Sequence, residues 1–469
     1  MTSASRKGFD KGQWSWALFE WARNPYYILI VIYIFGPYFS TEVIGDPVRG
    51  QEIWGYINGF AGAITACLAP FLGAIADRVG RRKPWIAAFV VMMFPAICLL
   101  WFAEPGDSNL SIITVAIALA IAGTGSAFSE VFHNAMLPSI VPYPRLGSLS
   151  GWGLSLGNAG ALVILVAMLY AFALPASGLF DWGFLPASVM FGLDTATFEH
   201  DRISAPIAAV WLLLFAWPLL AFTPDRAGSG VSARDAVRAG MRDVLRTVKS
   251  LRHYRNIAVY LIARMLFNDG KVAIMTFGMI YASGVFGWGG AERLLVGIFL
   301  TVFAVAGGVI GGWLDDLFGS KRAIVFTIAG NMIALLAAIS ITRHRCSSSI
   351  SKASMHRCGF PFFQTVPELV YVGISVLFAL FITSAYANSR TLLARIAPEA
   401  EMTKFFGLYA LSGQVTTFIA PILVAFVTGW YASQRAGMAS ILILLGGGLA
   451  LMAFVREERS VSAADDSKV

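Results

Sequence analysis

Charged residues are scarce in this chain. Asp, Glu, Lys and Arg make up 13% of its 469 residues, whereas 57% are hydrophobic, and the mean hydropathy is +0.69. A soluble protein carries about 25% charged residues to keep its surface hydrated. The deficit argues against a soluble domain and predicts a chain that crosses a lipid bilayer many times.

A nucleotide-binding motif is also missing. No G-x-x-x-x-G-K-[ST] stretch occurs, and no segment between the apolar runs is long enough for a soluble domain that binds ATP. Any movement of a solute across that bilayer would therefore draw its energy from a gradient rather than from a nucleotide, and we expect no enzymatic reaction, no cofactor and no resident metal. The short basic clusters flank apolar runs, which argues against nucleic-acid binding despite a net charge of +8.

Apolar runs long enough to cross a bilayer occur throughout the chain. Each crossing needs roughly 20 mostly apolar residues. The polar segment 1–13 leads directly into the first run, so no cleavable signal peptide is expected. The pattern predicts an all-α integral membrane protein with twelve transmembrane helices, beginning near residues 14, 52, 84, 110, 148, 204, 255, 290, 321, 368, 404 and 435.

Basic residues collect on one side of the predicted spans. They are concentrated in 78–83, 224–256 and 320–322, whereas the loop 103–109 has none and the loop 175–203 has only Arg202. Loops rich in Lys and Arg stay in the cytoplasm. We therefore expect a cell (inner) membrane protein with both termini in the cytoplasm.

A short motif recurs after the second span of each half. Both copies have a glycine, an acid four residues later, a second glycine three residues after the acid, and then bases. Such a repeat implies two six-span bundles, residues 1–223 and 255–469, joined by a basic amphipathic linker, 224–254, expected to lie on membrane lipid. The two copies comprise Gly73, Asp77, Arg78, Gly80, Arg81 and Arg82, and then Gly312, Asp316, Gly319, Lys321 and Arg322.

The first copy, G-x-x-x-D-R-x-G-R-R-K, resembles the loop signature of the major facilitator superfamily. The segments "VFHNAMLPSI" and "ARMLFNDGKVAIMTFGMIYASGVFGW" are similar to the branch that contains the fungal autophagy-related vacuolar amino-acid effluxer. The resemblance implies two pseudo-symmetric bundles, with Asp77 latching the cytoplasmic side against span eleven and the neighbouring bases extending that network. For Arg81 and Arg82, contact with lipid headgroups is the alternative.

Polar and ionisable residues inside the predicted spans are concentrated in spans one, four, seven and ten. The resemblance implies that these four helices line a central cavity. A charge at the bilayer centre costs about 2.5–3.5 kcal/mol, so it is retained where it has a role, although each of these residues could instead belong to a structural ion pair. The candidates are Glu20, Arg23, Asn24, Glu130, His133, Asn134, Arg264, Asn268, Asp269, Lys271, Asn388 and Arg390.

This set of side chains also predicts a type of cargo. It has more bases than acids, which suits an anion, and its mixed signs suit a zwitterion such as an amino acid. We expect a monomeric transporter of a small polar solute, coupled to a proton at Glu130 with His133, or else at Glu20 or Asp269. Sodium-coupled or uncoupled transport would use the same residue types.

Two other functions stay open. An exporter of an amphipathic or lipid-like compound would have a more apolar cavity, and a receptor or scaffold that no longer transports would carry a signalling tail. The segment 342–366 fits no function: its two His-x-Cys pairs could bind Zn²⁺ or form a disulfide, but a variable or aberrant loop is the simpler interpretation. These pairs are His344 with Cys346 and His356 with Cys358.

Overall fold

The computed structural model describes residues 9–78, 81–106, 111–142, 145–178, 186, 188–225, 227, 233–341, 362–398 and 401–457. Within these ranges the regular elements are all helices. The His-x-Cys pairs of the segment 342–366 lie outside the described residues, as does Gly80.

The first half of the chain forms six long helices, named span 1 to span 6. They cover Lys11–Val43, Pro47–Arg78, Lys83–Phe102, Ile112–Ile140, Leu146–Ser177 and Ser204–Phe222. A linker helix, Ala233–Ser250, follows span 6.

The second half repeats the arrangement. Spans 7 to 10 cover Arg255–Phe286, Gly290–Phe318, Ser320–Ser340 and Val366–Ile396, span 11 consists of Met402–Val415 and Ile419–Tyr431, and span 12 covers Gln434–Phe454. Among the described residues, eleven helices are long and apolar enough to cross a membrane. Span 7 is as long as the others but carries Arg264, Asp269 and Lys271 in its middle. The prediction of an all-helical twelve-span protein is confirmed.

The two halves pack in the same pattern. Span 1 contacts spans 5 and 6 as span 7 contacts spans 11 and 12, and spans 2 and 3 pack on span 4 as spans 8 and 9 pack on span 10. Between the halves, span 2 packs on span 11 and span 5 on span 8. Large apolar side chains such as Ile113, Val309 and Trp430 stay exposed on the outside of the bundle, where lipid would cover them.

Span 1 changes its hydrogen bonding midway. It begins at a capping box in which the Gln13 N–H donates to Asp10 and the Asp10 N–H donates to Gln13. Pro25 has no N–H to donate, and the backbone is π-helical from Tyr26 to Tyr33. Single π-helical turns are frequent at functional sites, and the candidates Glu20, Arg23 and Asn24 lie just before this one.

We define the linker end of the bundle by the linker helix and residues 81–82, 397–398 and 401, and the far end by residues 44–46, 103–106, 111 and 287–289. The linker helix packs on span 2 at the linker end. The sequence predicts that the linker end faces the cytoplasm.

Contacts between the two halves close the far end. The Gln51 side chain in span 2 donates to the Thr428 hydroxyl at 2.8 Å and to the Gln434 carbonyl at 3.1 Å. Span 2 can approach span 11 closely because Gly55 has no side chain; a Cβ there would lie 2.8 Å from the Cβ of Ala425.

A buried ion pair joins the halves at the same end. Asp201 precedes span 6, and Arg293 lies in the first turn of span 8; their side chains are 3.1 Å apart and 5% and 3% exposed. The neighbouring Arg202 binds Glu104 at 2.8 Å within the first half. We name the Asp201–Arg293 pair the far-end latch, because the halves cannot separate there while it is intact.

We predict that Asp201→Asn favours opening of the far end. Losing one partner of a buried ion pair costs up to about 3–5 kcal/mol in the closed state, and solvation of Arg293 on opening relieves that cost. The measurement is maleimide labelling of a cysteine at the buried position of Thr428, in a chain whose four native cysteines are serine. Labelling should be faster in Asp201→Asn than in Glu104→Gln, which disrupts a pair within one half. Equal rates in the two variants would contradict the latch.

Candidate functional site

Arg23 joins two carboxylates from different helices. Its two terminal nitrogens lie 2.9 Å from Glu130 Oε2 in span 4 and 2.8 Å from Glu20 Oε2 in span 1. The Arg23 and Glu20 side chains are each 18% exposed, whereas Glu130 is 38% exposed. Glu130 is therefore the member of this cluster that is most open to its surroundings.

His133 faces Glu20 rather than Glu130, although Glu130 precedes it by one turn on span 4. Its Nδ1 lies 3.4 Å from Glu20 Oε1 and its Nε2 lies 2.8 Å from the Trp16 carbonyl oxygen. The ring is fully buried and stacks on Trp16, with centroids 4.3 Å apart. Both ring nitrogens thus face oxygen acceptors, whereas a neutral imidazole has one N–H.

Span 5 can approach this cluster because of its glycines. The Asn24 amide donates to the Gly157 carbonyl at 2.7 Å, and a Cβ on Gly157 would lie 3.3 Å from the Glu20 Cβ. Gly160 lies equally close to Trp21, where an added Cβ would be 3.1 Å from the indole. The small residues of "GWGLSLGNAG" therefore bring span 5 against the polar face of span 1.

The second half holds two buried bases on span 7. Arg264 donates to the Tyr409 carbonyl at 2.8 Å and to the Ser412 hydroxyl at 2.7 Å, so it braces spans 7 and 11. Lys271 is fully buried, and its Nζ lies 3.6 Å from the centre of the Tyr386 ring in span 10. No hydrogen-bond acceptor for this Nζ occurs among the described residues. A cation over an aromatic face is stabilised, but an ammonium group without an acceptor is costly to bury.

Tyr386 lies where the two halves meet. Glu130 and Tyr27 of the first half and Arg264 of the second lie within electrostatic range of its hydroxyl. The acidic Glu130 and the basic pair Arg264 and Lys271 therefore flank one region from opposite halves.

A cavity of about 210 Å³ lies next to this region, between spans 1, 5, 7, 8 and 10. Asn24 and Asn158 contribute polar groups to its wall, but most of its surface is apolar and aromatic. Its apolar side chains include Ile28, Ile32, Ile274, Met275, Met279, Leu300, Phe378 and Ile382, and its aromatic hydroxyls come from Tyr27, Tyr33 and Tyr371.

The remaining predicted cavity residues differ in their surroundings. Asn268 and Asn388 are buried, at 7% and 1% exposure, and the Asn388 amide nitrogen has no partner among the described residues. The side chains of Asn134 and Arg390 are exposed. The structure therefore does not bring these last two into the charged cluster.

The repeated loop motif forms contacts at the linker end. The Arg82 and Lys83 N–H groups, at the start of span 3, donate to Asp225, which follows span 6, and Arg82 Nε donates to the Ala76 carbonyl. Because Arg82 is only 5% exposed, the alternative of a lipid-headgroup anchor is wrong for this residue. Arg78 and Arg81 are exposed, and the Asp77 side chain lies outside the described part of the structure.

The second half repeats this capping arrangement. The Ser320 and Lys321 N–H groups, at the start of span 9, donate to Glu457, which follows span 12. A carboxylate at a helix N-terminus satisfies free N–H groups and interacts favourably with the helix dipole. The sequence analysis did not predict roles for Asp225 and Glu457. Their shared position, directly after the last span of each half, was the signal that could have identified them.

The acid that forms contacts in the second motif is Asp315, not Asp316. Asp315 is buried, accepts a hydrogen bond from Ser320 and lies 3.1 Å from Arg395 of span 10, whereas Asp316 is exposed. Arg395 also binds Glu457 at 2.8 Å. Gly319 stands three residues after Asp316, as the motif requires, whereas Phe318 stands three residues after Asp315. The motif spacing therefore selected the acid that does not form these contacts.

Comparisons with known proteins agree with this architecture. A family model described as "Vacuole effluxer Atg22 like" matches residues 41–465. The chain is 25% identical over 464 residues to the uncharacterised MFS-type transporter YxiO of Bacillus subtilis (strain 168), with 98% of both chains aligned. It is 24% identical over 272 residues to autophagy-related protein 22 of Cryptococcus neoformans var. neoformans serotype D (strain JEC21), and this match covers 57% of the chain but 46% of the fungal protein.

Solved structures of transporters share the fold. A D-xylose–proton symporter superposes with a TM-score of 0.62 at 15% identity, covering 96% of this chain and 97% of the symporter. A bacterial homologue of the human lysosomal transporter Spinster, in an inward-facing conformation, superposes with a TM-score of 0.61 at 13% identity over 97% and 98% of the two chains. At these identities the likeness concerns the two-bundle fold alone.

We predict that Arg23→Gln destabilises the protein, because it leaves Glu20 and Glu130 without their shared counter-ion. Breaking a buried pair costs up to about 3–5 kcal/mol, and the partial exposure of Glu130 lowers that figure. The measurement is the thermal unfolding midpoint of the detergent-purified protein, with Arg49→Gln, an exposed arginine, as the control. Adding Glu20→Gln to Arg23→Gln should recover part of the lost thermal stability. If the two substitutions change the unfolding midpoint in a strictly additive way, the two groups are not coupled.

Proposed function

The chain belongs to the Atg22-like family of major facilitator superfamily transporters, and we propose that it moves a small zwitterionic solute, an amino acid or a close relative, by alternating access. The two six-span bundles rock about the region around Tyr386. In this proposal the protein is a monomer in the inner membrane of the cell. Its linker end faces the cytoplasm, because the loops at that end are rich in Lys and Arg.

The distribution of charge between the halves carries this proposal. Glu130 has one oxygen bound to Arg23, and its 38% exposure leaves it open to a substrate ammonium group. Lys271, on the opposite half, has no acceptor in the part of the chain that the structure describes, and a substrate carboxylate would provide one. A zwitterion that satisfies both groups would join the halves and compensate for the cost of their desolvation.

The coupling proton belongs, in this proposal, to the Glu20–His133 pair. The pair has more acceptors than a neutral histidine and a carboxylate can satisfy, so it suits reversible binding of one proton. Arg23 connects this pair to Glu130, the proposed substrate-binding acid. A substrate that draws Glu130 away from Arg23 changes how strongly the Arg23 charge interacts with Glu20. Substrate binding at Glu130 is thereby coupled to proton binding at the Glu20–His133 pair.

The apolar cavity supports a second candidate. Its wall is mainly aliphatic and aromatic, so the apolar part of a substrate could occupy it while a charged head contacts Glu130 and Lys271. An exporter of an amphipathic compound without a zwitterionic head would use the same cavity, but it would not require both charges.

We predict that pooled amino acids drive proton flux in proteoliposomes that contain a pH-sensitive dye. Glu130→Gln should raise the KM for the substrate about 10- to 150-fold, since a hydrogen bond to a charged group contributes about 1.5–3 kcal/mol. His133→Gln should retain substrate exchange and lose proton-driven accumulation. Glu292→Gln, at the N-terminus of span 8, is the control.

Two results would decide against this assignment. If no amino-acid pool moves protons through folded wild-type protein, while amphipathic compounds are exported, the second candidate replaces the first. If His133→Gln still accumulates substrate against a gradient, the proton site lies elsewhere.

A further inference from the structure

Span 11 is interrupted near its middle. Its two segments, Met402–Val415 and Ile419–Tyr431, are separated by a turn at residues 416–418, where the Ile419 N–H donates to the Thr416 carbonyl at 2.9 Å. This closes a tighter loop than the four-residue spacing of an α-helix and ends the helical hydrogen-bond pattern of the first segment, whose Gln414 carbonyl accepts from the Thr417 hydroxyl at 3.0 Å. The C-terminal end of a helix carries a partial negative charge.

Asp269 of span 7 lies at this interruption. Its side chain is 3% exposed, and its Oδ1 accepts a hydrogen bond from the Thr416 hydroxyl at 3.1 Å. Its Oδ2 has no hydrogen-bond partner among the described residues, and no ion pair to Asp269 occurs there. A buried carboxylate without a counter-ion is strongly unfavourable, so the site calls for a positive ligand.

Arg264 is near enough to act as the counter-ion but is bound elsewhere. Its field reaches Asp269, yet its guanidinium donates to Tyr409 and Ser412 and lies 3.5 Å from the centre of the Tyr409 ring. Arg264 therefore stabilises the first segment of span 11 and leaves Asp269 uncompensated.

We propose that Asp269 and the interruption of span 11 form a binding site for a monovalent metal cation, with Na⁺ as its ion. The carboxylate of Asp269, the hydroxyl of Thr416 and the carbonyl end of Met402–Val415 are the hard oxygen ligands that such an ion prefers. The single carboxylate matches a single positive charge. No cluster of three or more His, Cys, Asp or Glu side chains occurs in the described residues, which argues against a divalent or transition metal.

The site lies against the other half of the protein. The Thr417 hydroxyl is 3.4 Å from the Gly62 carbonyl of span 2, and a Cβ on Gly62 would lie 2.9 Å from the Phe418 nitrogen. Half-helices that meet at a bound ion are a known device for coupling ions to transport. Na⁺ held at Asp269 orders the turn that touches span 2. This role in the transport cycle rests on the proposed function, whereas the binding of Na⁺ does not.

The test is equilibrium binding of radioactive Na⁺ to the purified full-length protein without any substrate. Wild type should bind Na⁺ saturably, Asp269→Asn should lose at least about tenfold in affinity, and Thr416→Val about two- to tenfold, as expected for a charged and a neutral ligand. Arg264→Gln keeps a donor for Tyr409 but removes a nearby positive charge, so it should bind Na⁺ more tightly than wild type.

Controls separate the site from general effects of substitution. Thr301→Val removes a hydroxyl that bonds only within span 8, and Glu104→Gln removes a carboxylate at the far end; both should bind Na⁺ as wild type does. Unfolding midpoints of all variants identify any that fail to fold, and Thr416→Val then serves in place of Asp269→Asn.

Equal Na⁺ binding by wild type and both site variants, or no saturable binding by wild type, would overturn the proposal. If Na⁺ does not bind while a carbodiimide labels Asp269 at low pH, the occupant is a proton and the metal site is refuted. The binding assay contains no substrate, so its outcome does not test amino-acid transport. That proposal is tested by the proton-flux assay in proteoliposomes.

Discussion

The cost of an uncompensated charge inside a membrane governs how this protein is built. Arg23 shows the common solution, since one guanidinium neutralises carboxylates on span 1 and span 4 at once. The buried pair of Asp201 and Arg293 applies the same solution between the halves. Lys271 and Asp269 differ from these pairs: the described residues contain no ion pair to either side chain, and Lys271 Nζ and Asp269 Oδ2 have no hydrogen-bond partner there. Uncompensated buried groups of this kind are where ligands are expected.

Pseudo-symmetry gives the two halves equivalent supports but different charges. Asp225 and Glu457 each follow the last span of a half and cap the N-terminus of its third helix. The central site breaks this symmetry: Glu20 and Glu130 lie in the first half, and Arg264 and Lys271 in the second. The shared contacts thus support both halves alike, and under the proposed function the unlike charges would give a zwitterionic substrate one orientation between them.

Hydrophobic periodicity was enough to predict the helices, because a membrane leaves the backbone few alternatives. The predicted start of span 7 at residue 255 and that of span 8 at residue 290 coincide with Arg255 and Gly290. The sequence was a weaker guide to which side chains of different helices contact each other. The i, i+3 spacing suggested that Glu130 and His133 act together, yet His133 faces Glu20 across the helix interface. Spacing along one helix does not specify which side chains of a neighbouring helix lie opposite.

The sequence by itself determined the membrane class, the number of spans, the repeat and the four helices that carry polar residues, since these follow from local composition. Only the tertiary structure decided that Asp315 rather than Asp316 contacts Arg395, that the Arg82 N–H donates to Asp225, and that span 11 is interrupted beside Asp269. Each of these contacts joins residues that are far apart in the chain. The choice between Asp315 and Asp316 also depends on a shift of one residue around the helix. Such details are fixed by packing between helices and are invisible to periodicity along a single helix.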